Sequence, residues 1–240
     1  MKLSIITPTL NSANLIERLV HSLDILSMAN LAWEMVIIDG GSTDSTVDIV
    51  NSLVCDLIVV SEPDGGIYDA MNKGVRLATG DWLLFIGSDD YLNSKLDPYI
   101  LETAFNKAKY NKIDFISFSS IRDYGYSQEK LISSPRLLPF FNSIPHPSTF
   151  IKKSEILEGY SLKYKIASDY DFFLKKFISG GKFLIINDSL SIHSYGGFSS
   201  DSLKSQDEIR LIQQRLLSRQ VYLIVIFITK IKRWVKSLWR

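Results

Sequence analysis

Short apolar runs alternate with helical spacing of apolar residues through the first 95 positions. The runs cover 3–7, 33–38, 57–60 and 82–86. Apolar residues recur every three or four positions between them, which predicts helices over 13–28 and 67–78. Ser42 or Thr43 is placed to cap a further helix that follows the second run. This alternation predicts an α/β fold with a Rossmann-like, mostly parallel twisted sheet flanked by helices.

The pattern loosens after residue 95. A helix is predicted over 99–110, followed by an apolar run at 113–117 and a polar stretch at 122–133. A polar helix over 206–219 precedes the apolar block VYLIVIFI at 221–228 and a basic, tryptophan-containing end. We therefore predict one domain over 1–205, with halves 1–95 and 96–205, and a helical tail over 206–240.

The tail is predicted to be an amphipathic helix at a membrane surface. Eight or nine apolar residues are too few to cross a hydrocarbon core, which needs about twenty. Apolar and Trp side chains in the interface would instead leave five cations to meet anionic headgroups, namely Lys230, Lys232, Arg233, Lys236 and Arg240. The alternatives are a helix packed on the domain and a helix that forms a homodimer.

The composition of the chain limits the kinds of binding partner and the cellular compartment that we expect. With 27 basic and 26 acidic residues the chain has no global field that attracts nucleic acid. Its single cysteine, Cys55, excludes an internal disulfide and fits a reducing compartment. The N-terminus lacks the long apolar region of a secretory leader. We expect a cytoplasmic protein, peripheral on the inner face of the cell membrane.

Acids and hydroxyls follow the predicted strands. Asp89 and Asp90 come just after the run at 82–86, and the carboxyl ends of parallel strands are where open α/β sheets bind ligands. Adjacent carboxylates repel each other unless a cation such as Mn²⁺ or Mg²⁺ joins them to a diphosphate. Thr7, Thr9 and Asp39 lie at the ends of two other predicted strands. We expect them either to bind the edge of a nucleobase or to serve only as turn residues.

Four segments of the first half resemble the family-2 glycosyltransferases of the GT-A fold. They are SIITPTLN, VIIDGGSTDST, SEPDGGIYDAMNKG and ATGDWLLFIGSDDYL. HPSTF, ASDYDFFLKKF and HSYGGFSS resemble the acceptor half of the same family. The resemblance implies a nucleotide-sugar half at 1–95 and an acceptor half at 96–205. It also implies inverting transfer of one sugar, from a UDP-sugar in most members, to a lipid-linked or oligosaccharide acceptor in bacterial surface polysaccharide synthesis.

The resemblance implies roles for residues of the first half. The residues expected to bind the nucleotide sugar are Thr7, Pro8, Thr9, Asp39, Asp69, Lys73, Ser88 and Asp89. The metal is expected at Asp90 and Asp89, with His193 as a further ligand of the metal or the diphosphate. Lys73 is equally placed to pair only with Asp69, four residues before it.

The resemblance implies that Asp169 is the general base, because it matches the Asp of the family's Glu-Asp motif. Ser168 stands where that Glu is usual, which leaves Asp171 as the alternative base in the acceptor region. Asp169 is also placed to cap a helix over 170–178. His146 is expected in the acceptor region, and a loop with Gly196 and Gly197 is placed to close over substrate.

Two other functions fit parts of this pattern. A membrane-attached protein that binds a nucleotide sugar but does not transfer it would have the same residues for nucleotide-sugar binding. A sugar-phosphate nucleotidyltransferase shares a related architecture, but it normally opens with a Gly-rich, Arg-containing loop, and TPTLN has neither feature. A processive synthase is disfavoured because Lys230 stands where the Gln of its Gln-x-x-Arg-Trp motif would be.

Overall fold

The computed structural model describes residues 1–54, 56–194 and 202–238, with the side chains of 202 and 232–238 excepted. Cys55, Gly196, Gly197 and Arg240, on which expectations rest, lie outside these residues. The first half contains, in order, β1 (Lys2–Thr9), α1 (Ile16–Ser22), α2 (Asp24–Met28), β2 (Ala32–Asp39), α3 (Thr46–Leu53), β3 (Leu57–Ser61), α4 (Ile67–Leu77), β4 (Trp82–Phe85) and β5 (Tyr91–Leu92).

The second half contains more antiparallel structure. Its elements are α5 (Pro98–Asn111), β6 (Phe115–Asp123), β7 (Gln128–Leu131), β8 (Thr149–Lys152), α6 (Ser168–Ile178), β9 (Phe183–Ser194), α7 (Ser202–Leu216) and α8 (Arg219–Leu238). The polar stretch at 122–133, for which the sequence predicts no particular element, contains β7 and the end of β6. Its polar residues are accommodated because β7 pairs only with β6, at the margin of the sheet.

All nine described strands form one sheet, in the order β3-β2-β1-β4-β8-β6-β9-β5, with β7 attached to β6. β3, β2, β1 and β4 are parallel, whereas β8 is antiparallel to both β4 and β6. The predicted parallel arrangement is therefore confirmed for the first half. The carboxyl ends of its strands lie along one edge, where Thr9, Asp39 and Ser61 are register neighbours.

Helices cover both faces of the sheet, which explains the apolar runs. Alternate residues of β1 point to opposite faces, so that Ile5 packs with α1, α2, α3 and α5 while Ile6 packs with α4, α6 and α7. Such strands are buried on both sides and read as continuous apolar segments. Gly74 allows α4 to approach β1 closely, because a Cβ there would lie 2.4 Å from Ile6 Cγ2.

Two helix predictions need correction. The single helix predicted over 13–28 is divided at Leu23 into α1 and α2. α3 begins at Thr46, so neither Ser42 nor Thr43 caps it. Ser42 donates instead to Asp39, and the Thr43 amide donates to Asn11 Oδ1 at 2.9 Å. Ser42 therefore bonds within its own loop and Thr43 bonds to a distant residue, and neither caps α3.

The predicted boundary between 205 and 206 falls inside α7, and α7 packs on the domain. Ile212 is fully buried, and Gln213 Nε2 donates to the carbonyl oxygen of Pro139 at 3.1 Å. The Glu208 carboxylate accepts hydrogen bonds from the backbone amides of 165–167 at 2.8–2.9 Å. α8 continues as one 20-residue helix, and none of the described helices is both long and apolar enough to span a bilayer.

Candidate active site

A cavity of about 830 Å³ opens beside the carboxyl end of β4. Asp89 and Asp90 line it from the first half of the chain, and Asp169, His146 and His193 line it from the second. These five residues span more than 100 positions of sequence. The fold therefore brings the predicted metal, base and acceptor residues to one cavity.

The two adjacent carboxylates turn to the same side of their loop. A Cβ on Gly87 would lie 2.7 Å from Asp89 Oδ1 and 3.5 Å from Asp90 Oδ2. Burial raises the pKa of Asp90 to about 8, and the charge of Asp89 adds to that rise. The backbone carbonyl of Asp89 accepts a hydrogen bond from Arg18 Nη2 at 2.6 Å, which fixes the loop. A bound cation would relieve the repulsion that the two acids place on each other.

The chemistry of this group fits a divalent cation. His193 Nδ1 is buried and lacks a hydrogen-bond partner among the described residues, and the charge of Asp89 acts on the imidazole. Burial lowers the pKa of His193, which favours the neutral form that ligates metals. Within the described ranges no three acid, His or Cys side chains are already arranged to hold an ion. Substrate phosphates commonly supply the remaining ligands of Mg²⁺.

His193 lies in β9, one residue before the end of that strand. It is the register neighbour of Arg122 on β6, and both residues line the cavity. Arg122 was not among the predicted site residues, because a lone Arg at the start of a polar stretch carries no local signal. Its charge helps to lower the pKa of His193 after the larger effect of burial.

Asp169 lies in the first turn of α6 and lines the cavity. The N-cap of that helix is Ala167, so the predicted capping role of Asp169 is wrong. Its Oδ1 instead accepts a hydrogen bond from the Tyr68 hydroxyl at 2.9 Å, and its Oδ2 accepts one from Asn142 Nδ2 at 3.0 Å. The carboxylate therefore has its orientation set by other elements of the fold.

Asp171 does not line the cavity. It is only 1% exposed and forms ion pairs with Arg215 of α7 and with Lys175, the latter at 2.7 Å. A carboxylate held by two cations and turned from the cavity is poorly placed to accept a proton from a substrate there. The geometry therefore favours Asp169 over Asp171 as the base.

The residues predicted to bind the nucleobase form a separate group outside that cavity. Thr7 and Thr9 are buried, and their hydroxyls have no hydrogen-bond partner among the described residues. Asp39 accepts from the Ser61 hydroxyl at 2.6 Å and from the Ser42 amide at 2.8 Å. Burial acts to raise the pKa of Asp39, but these hydrogen bonds outweigh it and the pKa is lowered. Pro8, between the two threonines, is partly buried in β1.

Three further residues predicted to bind the nucleotide sugar also lie outside the cavity lining, namely Asp69, Lys73 and Ser88. Lys73 forms an ion pair with Glu62 at 2.7 Å and a longer one with Asp69 at 3.6 Å. Asp69 Oδ2 also accepts from the Gly65 amide at 3.0 Å, so it braces the loop before α4. The Ser88 hydroxyl is hydrogen-bonded to that of Ser12 at 2.7 Å. Each of these side chains is engaged within the protein.

His146 forms the floor of the cavity together with aromatic residues. Its ring stacks on Phe85 with centroids 5.2 Å apart, and its Nε2 lies 2.7 Å from the Tyr160 hydroxyl. Burial lowers the pKa of His146, against the opposing charge of Asp169. Tyr68, which packs on Tyr160 and binds Asp169, was not predicted as a site residue, although its place in the motif DGGIYDAMNKG was an available signal.

Comparison with known proteins decides the class of this chain. The model of glycosyl transferase family 2 matches residues 4–190. The chain belongs to that family. The resemblance drawn from the motifs is thereby confirmed. A relative named PGL/p-HBAD biosynthesis glycosyltransferase, from Mycobacterium tuberculosis, is 30% identical over 249 residues, which cover 99% of this chain and 92% of the relative.

Solved structures agree with this family 2 glycosyltransferase in fold. The structure of Staphylococcus aureus TarS 1–349 with UDP-GlcNAc has a TM-score of 0.71 and 22% identity, covering 88% of this chain and 65% of that one, which is less than two thirds. Glucosyl-3-phosphoglycerate synthase from Mycobacterium tuberculosis, in complex with Mn²⁺, UDP and glucosyl-3-phosphoglycerate, has a TM-score of 0.59 and 18% identity over 90% of this chain and 80% of that one. The predicted GT-A type fold is confirmed.

Proposed function

We propose that this family 2 glycosyltransferase moves one sugar, with inversion, from a UDP-sugar to a hydroxyl of a lipid-linked or oligosaccharide acceptor in surface polysaccharide synthesis. The observation that carries the proposal is a single cavity lined by Asp89, Asp90 and Asp169 at the carboxyl end of β4. UDP or UDP-GlcNAc in the structures of two neighbours supports the choice of donor.

Asp169 acts as the general base in this proposal. It takes the proton of the acceptor hydroxyl while that oxygen forms a bond to the anomeric carbon and the bond to the diphosphate breaks. A carboxylate suffices because the hydroxyl becomes acidic late in the transition state. Asp90 and Asp89, with His193, would hold Mn²⁺ or Mg²⁺, and a cation there would neutralise the charge of the leaving diphosphate. Mn²⁺ in the complex of a structural neighbour supports this assignment.

The donor half is assigned a binding role. Thr7 and Thr9 have buried hydroxyls without a partner among the described residues, and Thr9 is the register neighbour of Asp39. These three residues would bind the nucleobase, and Pro8 holds the end of β1 between the two threonines. Asp69, Lys73 and Ser88 would replace some of their present contacts within the protein with contacts to the sugar and the diphosphate. His146 would contact the acceptor from the cavity floor.

The proposal is tested with UDP-glucose, UDP-galactose, UDP-N-acetylglucosamine and GDP-mannose. Thermal shift with and without Mn²⁺ identifies the donor, and release of the nucleoside diphosphate measures turnover. Asp169→Asn is expected to lower turnover to a small residual rate while donor binding persists. A bound donor without any turnover would favour the alternative of a nucleotide-sugar binding protein, and full turnover by Asp169→Asn would remove Asp169 from its role.

We further propose that α8 binds an anionic membrane surface and keeps the enzyme peripheral on the cytoplasmic face. An exposed apolar side runs along the helix, with Leu223, Ile224, Phe227 and Ile231 between 43% and 65% exposed. Basic residues follow it in the sequence. Phe227→Asp is expected to abolish co-sedimentation with vesicles that contain phosphatidylserine. Leu203→Asp on α7, at an equally exposed position, is the control, and unchanged sedimentation of Phe227→Asp would contradict the proposal.

A further inference from the structure

Two side chains from different elements hold the two oxygens of the Asp169 carboxylate. Tyr68, in the first turn of α4, places its hydroxyl 2.9 Å from Oδ1. Asn142, in the connection between β7 and β8, places Nδ2 3.0 Å from Oδ2. The nucleotide-binding half and the acceptor half thus each supply one hydrogen bond to the same carboxylate.

Tyr68 is a well-fixed donor. It is 7% exposed, its ring packs on Tyr160 with centroids 5.5 Å apart, and its hydroxyl also lies 2.8 Å from the carbonyl oxygen of Ile166. Burial, with the charge of Asp169, keeps the pKa of Tyr68 well above its ordinary value, so the phenol stays protonated at neutral pH. A single proton is shared by two acceptors, and an ionised carboxylate is the stronger of them.

An ionised carboxylate has about four lone-pair sites, and the two donors occupy one on each oxygen. The others remain for a ligand, and Asp169 lines the cavity. Fixing the carboxylate matters because a shift of about 1 Å in a reacting group costs roughly a hundredfold in rate. Asn142 is exposed, so water competes for its hydrogen bond, whereas the bond from Tyr68 is protected.

We infer that Tyr68 is a positioning residue for Asp169, whose carboxylate it holds turned toward the acceptor hydroxyl, with Asn142 restraining the second oxygen. The inference rests on the proposed role of Asp169 as the base. The charge of Asp169 also acts on two other titratable side chains that lie nearby, His146 and Tyr160. Neither of them donates a hydrogen bond to Asp169 among the described contacts.

The test is the full-length Tyr68→Phe variant, assayed by nucleoside diphosphate release from whichever of the four nucleotide sugars the wild type turns over fastest. Loss of a hydrogen bond to a charged group predicts a fall in kcat of about tenfold to a hundredfold at pH 7. The KM for the donor should stay within about twofold.

Tyr170→Phe is the matched control. Tyr170 is also buried and directly follows Asp169, but its hydroxyl donates to the Leu138 carbonyl oxygen at 2.7 Å and it does not line the cavity. It should lower the melting temperature without lowering kcat. If Tyr68→Phe fails to fold, Asn142→Ala at its exposed position decides, with a smaller fall in kcat at an unchanged KM for the donor.

A double-mutant cycle separates this inference from the proposed function. In an Asp169→Asn background, Tyr68→Phe should cause no further loss of the residual activity. Turnover retained by Asp169→Asn alone would refute the role of Asp169 as base and the inference with it. Turnover lost by Asp169→Asn but unchanged in rate by Tyr68→Phe would overturn the inference and leave Asp169 assigned as the general base.

Discussion

Glu34 offers a quantitative test of the packing between β1, β2 and the start of β4. It is 1% exposed, and its carboxylate accepts hydrogen bonds from the Ser4 hydroxyl at 2.6 Å and from the Thr79 amide and hydroxyl at 2.6 and 2.7 Å. Lys2 Nζ lies 2.8 Å away. Burial opposes ionisation, but these donors outweigh it and lower the pKa of Glu34 from 4.5 to about 2.

The magnitude follows from that change in pKa. A pKa lowered by about 2.5, at about 1.4 kcal/mol for each pH unit, corresponds to an upper value of about 3.5 kcal/mol. Solvent reaches Lys2, which is 33% exposed, so we expect Glu34→Gln to lower the free energy of unfolding by about 2 kcal/mol at pH 7. Urea unfolding at fixed protein concentration measures this, as a fall of the midpoint by roughly 1 M.

The pH dependence has a definite sign. Because the folded-state pKa of Glu34 is depressed, its contribution is complete above about pH 4.5 and is lost as the pH falls toward about 2. The difference between wild type and Glu34→Gln should therefore shrink between pH 5 and pH 3. Asp56→Asn is the control, since Asp56 contacts the same Lys2 at 2.9 Å but is 59% exposed. A Glu34→Gln loss below about 0.5 kcal/mol, or one that stays constant with pH, would refute the reasoning.

Three further outcomes are expected. Asp90→Ala should abolish the Mn²⁺-dependent thermal shift by the nucleotide sugar, and a retained shift would argue against the metal site. Gly74→Ala should lower the free energy of unfolding by about 1–3 kcal/mol in urea, since its Cβ would meet Ile6 at 2.4 Å. Glu208→Gln should lower the free energy of unfolding by about 1–3 kcal/mol, because it weakens the hydrogen bonds to three backbone amides. The control Asp207→Asn, at a side chain that is 75% exposed, should lower it by less than about 0.5 kcal/mol.

The sequence by itself determined the four parallel strands of the first half. β1, β2, β3 and β4 lie where the apolar runs predict them, because strands buried on both faces need continuous apolar residues. The adjacency of Asp89 and Asp90 is covalent, and their position after β4 follows from the chain order. The family resemblance also came from local motifs. These features depend on neighbours in sequence, which a single chain displays.

Tertiary structure decided how the second half meets the first. Tyr68 and Asp169 are 101 positions apart, and no local pattern records that β8 lies between β4 and β6. Two residues of α7 contact the domain: Glu208 accepts hydrogen bonds from backbone amides before α6, and Arg215 pairs with Asp171. α7 therefore belongs with the domain, although its polar composition led to the prediction that most of it is part of a tail. Hydrophobic periodicity specifies which face of an element is buried, but the partner of a polar side chain depends on the sheet order that long-range packing selects.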